Sequence, residues 1–294
     1  MVIQHNLSAL FVLRQLSINQ ALCDKSIMRL SSGYRINSAA DDPAGLAVSE
    51  KMRSQIRGLQ AAQQNTQDGI SMIQTAEGNL NETQSILSRM MELAVQSSNG
   101  TYQNDTDRKN SGKEFEALKK EIDRIAKTTD FNGTKLLNGS LAEITDPSDP
   151  VFGKDGITLQ IGAENSEDSK YTVHIPDMGT EGLGLDGASI DTQEDAQKAI
   201  DLIKKAADAV AGARGSLGAA QNGLERHLSC LSTMEDNLTA AESRIRDVDM
   251  AREMTELVRH NILVQAGMAM LAQANLQPQR ILKLLEDSLP KNNQ

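Results

Sequence analysis

A chain of 294 residues in which 39% of side chains are hydrophobic but only 2% aromatic, with no tryptophan, has room for one large or two ordinary domains. That composition suits long helices packed through aliphatic and small residues better than a globular enzyme. The net charge of −10 argues against the basic stripe of a nucleic-acid binder, and two widely separated cysteines, Cys23 and Cys230, make no disulfide framework.

Residues 1–32 read as a helix. Ile3, Leu7, Leu10 and Leu13 share one face, and Phe11, Val12, Leu16, Leu22, Ile27 and Leu30 widen it. Gly33 is placed to cap it, and Ser32 to Asp41 forms a short joint. The apolar cluster Leu7–Leu16 is interrupted by Arg14 and Gln15 and is too short to span a membrane. The segment Met1–Leu7 carries neither a basic leader nor a cleavage site, which taken alone reads as cytoplasmic.

Asp42-Pro43 opens the stretch around which the chain is organised: a carboxylate N-cap followed by proline at the first helical position. Met52, Ile56, Leu59, Ile70, Ile73, Leu80, Leu87, Met91 and Ala94 recur at steps of three and four, a heptad-like seam that Asn99-Gly100 closes. A helix over 43–98 would run on the order of 80 Å at ~1.5 Å per residue, a rod that needs partners along its length. Gln63, Thr66, Glu77 and Gln84 fall where the spacing wants apolar groups and read as register-setting polar positions.

A second helix within 105–128 buries Phe115, Leu118, Ile122 and Ile125 and folds back on the first. From 131 to 190 the character changes. Asn132-Gly133 and Asn138-Gly139 are turn signals, and Pro147, Pro150 and Pro176 exclude long helices. Ile157–Ile161 and Tyr171–Ile175 alternate like the strands of a hairpin, with a shorter hairpin near Thr134–Leu137. Helix returns over 192–255, with Thr192 capping toward Asp195 and Leu224, Leu228, Leu231, Met234, Leu238, Ala241, Ile245 and Val248 forming the partner seam. The tail, Met254 to Leu289, is helical and apolar through Leu257, Ile262, Val264, Met268 and Leu271, and Lys291–Gln294 reads as loose.

The fold class is therefore mainly α: a long antiparallel helical coiled-coil rod with a small β-hairpin insert and paired N- and C-terminal helices. Residues 1–42 and 256–294 make one terminal-helix domain. Residues 43–255 make the other, with helices 43–98, 105–128 and 192–255 and the hairpin region 131–190. Free of other copies, the terminal pair exposes apolar surface of the kind that marks an interaction site.

No catalytic chemistry emerges. Gly182-Leu183-Gly184-Leu185-Asp186-Gly187 fits a dinucleotide fingerprint in letters, but no strand and helix flank it as that function requires. His5, His174, His227 and His260 are scattered, and the nearest approach to a metal site, His227 with Cys230, supplies two ligands only. No catalytic, cofactor or metal residues are assigned.

Longer motifs carry a resemblance. Val2–Leu10, Arg29-Leu30-Ser31-Ser32-Gly33-Tyr34-Arg35-Ile36-Asn37, Asp41–Ala47, Phe131-Asn132-Gly133-Thr134-Lys135-Leu136-Leu137, Glu242–Ala251, Asn261–Ala266 and Ala269–Asn275 together resemble bacterial flagellins in a short form, without large variable outer domains. The resemblance implies a secreted structural subunit that polymerises with itself into the extracellular filament for motility. It implies export through the flagellar type III apparatus on an uncleaved N-terminal signal, which replaces the cytoplasmic reading, and an export chaperone on the C-terminal helix. It implies a polymerisation interface through Ile3, Leu7, Leu10, Leu13, Ile262, Val264, Met268 and Leu271. It also implies contact with the vertebrate Toll-like receptor for flagellin, or between protofilaments, through Arg89, Leu93 and Glu114. The sequence departs from the family pattern in the apolar run Phe11-Val12-Leu13 and in the extension Glu286–Gln294. The competing reading is a non-polymerising flagellin-like secreted coiled-coil protein, an adhesin or adaptor.

Overall fold

The computed structural model describes residues 6–101, 108–142 and 156–288, with only the backbone described over 281–288. Ile3, the start of the second helix at 105–107, Pro147, Pro150 and the tail Lys291–Gln294 lie outside the described residues. In chain order the elements are α1 (Leu7–Ser32), α2 (Pro43–Ser97), α3 (Lys109–Thr128), β1 (Asp130–Phe131), β2 (Thr134–Lys135), β3 (Ile157–Gln160), β4 (Lys170–Val173), α4 (Gln193–Arg246) and α5 (Met250–Ser288). The fold is mainly α, with two small antiparallel hairpins among the described residues. The chain divides into two compact units, residues 1–54 with 238–294, and residues 55–237.

In the terminal unit, α1 and α5 pair antiparallel. Asn6 caps α1 by accepting from the Ala9 N–H at 3.0 Å, and its amide reaches across to the Ala274 carbonyl at 2.9 Å. Further along, Cys23 Sγ donates to Asn261 Oδ1 at 3.3 Å, and Arg29 pairs with Glu253 at 3.6 Å. Gly267 lets the helices close: a Cβ there would lie 3.2 Å from Leu16 Cδ1. Gly33 ends α1 in the left-handed conformation, φ 75°, which glycine adopts without a Cβ clash, and its N–H returns to the Arg29 carbonyl at 2.9 Å.

The helix expected to run unbroken to 255 ends at Arg246. Neither proline nor glycine breaks it. The segment after it pairs instead with the joint that follows α1: the Arg35 N–H donates to the Arg246 carbonyl at 2.7 Å, and the Val248 N–H to the Gly33 carbonyl at 3.0 Å. Asp249 then caps α5, accepting from the N–H groups of Ala251 and Arg252 at 3.0 and 3.2 Å. Side chains clasp the same place. The guanidinium groups of Arg53 and Arg246 lie over the Tyr34 ring, 5.2 and 4.9 Å from its centroid, within the range of cation–π attraction. Arg53 also donates to Tyr34 Oη at 2.8 Å and pairs with Glu242 at 3.0 Å, while Arg246 pairs with Glu50. Asp41 accepts from Lys25 at 2.6 Å and from Ser38 and Asn37. The Lys25 ammonium, ahead of these bonds, holds its carboxyl well below the ordinary carboxylate range. Asp42 then caps α2 through the Gly45 N–H at 2.9 Å.

The second unit has a conventional core. Ile73, Leu80, Leu87 and Met90 of α2 are fully buried against Phe115 and Ile122 of α3 and Ile203, Val210 and Leu217 of α4. Three of the four polar interruptions of the α2 seam find local uses, whereas the fourth, Gln84, has its Oε1 buried without a hydrogen-bond partner among the described residues. Buried Thr66 donates to the Ala62 carbonyl at 2.7 Å, Gln60 and Gln63 both donate to Glu235 at 2.6 and 2.8 Å, and Glu77 pairs with Arg214 at 3.7 Å. Thr192 caps α4, accepting from the Asp195 N–H at 3.2 Å while its hydroxyl donates to the Asp195 carboxylate at 2.7 Å. The hairpin β3–β4, with Ile157 opposite Val173, lies against both long helices. Asn65 donates to the Gln160 carbonyl at 3.0 Å, and His227 Nε2 lies 2.9 Å from the Ile161 carbonyl. Gly58 makes room for it, since a Cβ there would come within 2.8 Å of Ala163 Cβ. The shorter hairpin turns at Asn132 and Gly133, both at positive φ, the two-residue turn that Asn-Gly favours. Gly182–Gly187 is a turn segment that buries Leu185, and no parallel strand accompanies it among the described residues.

Candidate self-assembly surface

The fully buried part of the terminal pair consists of small and polar side chains, with Val12, Leu16, Leu30 and Leu257 half-buried around them. Asn19, Cys23 and Ser26 of α1 and Glu253, His260 and Ala274 of α5 are buried, and Val264 and Leu271 are half-buried beside them. Most of the large apolar side chains of the two helices are instead exposed. Of the nineteen exposed large hydrophobic residues among those described, sixteen lie on α1 and α5, Phe11 at 69% and Met270 at 60% among them. Such contiguous apolar exposure marks an interaction face.

The eight residues named for polymerisation thus separate. Leu7, Leu10, Leu13, Ile262 and Met268 are exposed, Val264 and Leu271 belong to the seam inside the pair, and Ile3 lies outside the described residues. Periodicity marks these residues as helical, but it does not distinguish a face that closes on the chain itself from one left open.

Arg89, Leu93 and Glu114 also separate. Arg89 Nε donates to Glu114 Oε1 at 2.9 Å and its Nη1 to Glu92 Oε2 at 2.9 Å on an exposed face of α2 and α3. Glu114 first, then Glu92, strengthens the guanidinium's hold on its proton. Leu93 is only 3% exposed and packs in the core, so this surface consists of charged groups without the leucine side chain. The exposed apolar residue nearby is Val95, at 53%.

The terminal unit also contains a cleft of about 680 Å³ between α1, the two joints and the start of α5. On its wall Arg29 Nε and His260 Nδ1 are buried without a hydrogen-bond partner. Three of its acids are engaged, Asp249 in capping α5, Glu253 with Arg29, and Glu256 with Arg259 at 3.1 Å, and the fourth, Asp247, is exposed. Among the described residues no cluster of side chains could hold a metal ion, and no helix is long and apolar enough to cross a membrane.

Residues 3–142 match the bacterial flagellin N-terminal helical region, and residues 200–285 the bacterial flagellin C-terminal helical region. The chain is 47% identical to a flagellin of Bacillus subtilis and 49% identical to one of Halalkalibacterium halodurans, each over 97% of this chain and the whole of the relative. It is 45% identical, at the same coverage, to the flagellar filament 31.3 kDa core protein of Treponema maltophilum. A putative flagellar hook-associated protein from Vibrio parahaemolyticus shares the fold, with a TM-score of 0.57 at 15% identity over 70% of this chain and all of that one. The chain belongs to the bacterial flagellin family, the structural subunits of the extracellular flagellar filament.

Proposed function

We propose that copies of this chain join through the outer faces of α1 and α5, with Leu7, Leu10, Leu13, Ile262 and Met268 in the contact and Val264 and Leu271 holding the pair together beneath. One observation carries this reading: the terminal pair leaves sixteen large apolar side chains exposed while the residues it buries fully are mostly small or polar. Burying apolar area at roughly 25 cal/mol per Å² is the main source of association energy for such a face. The same exposed face of α5 is the surface on which an export chaperone would sit before assembly, since it needs cover until other copies supply it.

On the second unit, Arg89 and Glu114 are the charged groups proposed to meet the Toll-like receptor for flagellin. Leu93 contributes by supporting α2 beneath them. An Arg89→Ala protein that binds the receptor ectodomain as tightly as the unaltered chain would exclude this contact.

Electron microscopy of purified protein, with and without sheared filament seeds, tests the assembly reading. The unaltered chain extends seeds. Leu10→Asp and Ile262→Asp remain monomeric while their circular dichroism stays helical. Filaments of normal length from both variants would overturn the proposed interface, and a persistently monomeric unaltered chain would favour a non-polymerising adaptor.

A further inference from the structure

The net charge of −10 is not shared evenly between the two units. Residues 1–54 and 238–294 hold 13 Lys and Arg against 11 Asp and Glu, a balance of +2, whereas residues 55–237 hold 17 against 29, a balance of −12. The positive excess of the terminal unit gathers at the cleft. Arg35, Arg244 and Arg252 are exposed at its mouth, and Arg29 Nε and His260 Nδ1 lie unpartnered in its wall. Arg35 donates to the Ile245 carbonyl, but the guanidinium groups of Arg244 and Arg252 have no hydrogen bond or ion pair among the described residues. Of the cleft's carboxylates, Asp249 caps α5, Glu253 pairs with Arg29 and Glu256 with Arg259, while Asp247 stands exposed at the mouth beside the arginines. Three exposed guanidinium groups, Arg35, Arg244 and Arg252, against one unengaged carboxylate, Asp247, and over the unsatisfied Arg29 Nε, make a receptor for carboxylates, the groups that arginine binds with the best geometry.

The second unit presents a matching surface. From Tyr171 to Gln197 there are six acids and no lysine or arginine, and Glu181, Asp186, Asp191 and Glu194 are exposed. This segment leads into the N-terminus of α4.

We propose that the arginine-lined cleft beside the joints receives the acidic segment 181–194 of a second copy of the chain, a polar contact between copies distinct from the apolar faces of α1 and α5. It rests on the assembly reading above and adds a second, salt-sensitive contact to it. Opposite potentials on the two surfaces raise the rate at which arriving subunits find the correct orientation, and salt weakens that effect.

The test is seeded elongation, followed by sedimentation and electron microscopy, with three preparations. The unaltered chain elongates, and faster at low salt. A double variant Arg244→Glu and Arg252→Glu, and a double variant Asp186→Arg and Asp191→Arg, each elongate about tenfold more slowly alone. Mixed in equal amounts, the two variants recover at least half of the unaltered rate, because each supplies the charge the other lacks. Circular dichroism and thermal melting confirm that both variants fold, and the milder pair Arg244→Gln and Arg252→Gln gives an intermediate rate if either reversed variant melts early. Variants that elongate like the unaltered chain, or slow variants that mixing does not restore, overturn the inference. If the unaltered chain itself fails to extend seeds, the assembly reading fails instead.

Discussion

The two units spend their apolar residues in opposite directions. In the second, Leu80 and Leu87 are completely buried in a core shared by α2, α3, α4 and the hairpins. In the first, Leu7, Phe11, Ile262 and Met270 face water while Asn19, Cys23, Ser26 and His260 occupy the seam. A domain that closes its own core is complete as a monomer. A helix pair arranged the other way round is complete only among copies.

That contrast can be broken or sharpened, beginning with the largest expected effect. Leu87→Ala leaves a cavity in the closed core and lowers the unfolding free energy of the monomer by about 2–5 kcal/mol, measured by urea titration. A loss below about 1 kcal/mol would mean the core is not closed there. Gly58→Ala pushes a methyl group against Ala163 beneath the hairpin loop; overpacking of about 1–3 kcal/mol outweighs the gain of about 1 kcal/mol in helix propensity. The hairpin amides should then exchange faster with solvent deuterium. Thr192→Ala removes the cap of α4 for about 1 kcal/mol.

Asp41 gives the terminal unit an acid-sensitive joint. Its carboxyl in the folded chain titrates below the ordinary 3.8, so its stabilisation is present above that value and fades as pH falls through the folded pKa. The difference in melting temperature between the unaltered chain and Asp41→Asn therefore narrows as pH drops from about 5 toward about 2. A difference that stays constant over that range would remove the Lys25–Asp41 pair as its cause. Smallest of all, Phe11→Ala changes monomer stability by less than about 0.5 kcal/mol, as expected of an exposed side chain, yet slows seeded elongation.

Local chemistry made much of the fold legible. Gly33 and Asp42-Pro43 mark the first joint because a left-handed cap and a carboxylate N-cap are properties of single residues. Asn132-Gly133 marks its hairpin for the same reason. The end of α4 at Arg246 was not legible, because the chain leaves the helix there to pair with Gly33 and Arg35, more than two hundred residues away. Nor was the seam of the terminal pair. Apolar periodicity points to the widest oily face of α1, and the rule that such a face turns inward assumes that the chain folds alone. Leu93 is the converse case: its motif suggests a surface, whereas it is buried in the core of the second unit.

The half-polar seam between α1 and α5 also has a kinetic consequence. Ser26, Cys23 and Asn19 dilute the dispersion contacts that Leu16, Val264 and Leu271 supply, and Arg29 Nε and His260 Nδ1 leave hydrogen-bonding capacity unused within the pair. Such helices separate and re-pair readily in a lone subunit, so the first few copies to meet must order one another as well as find one another. Spontaneous nucleation is then slow and growth from an existing end is fast, which confines new polymer to places where an end already stands.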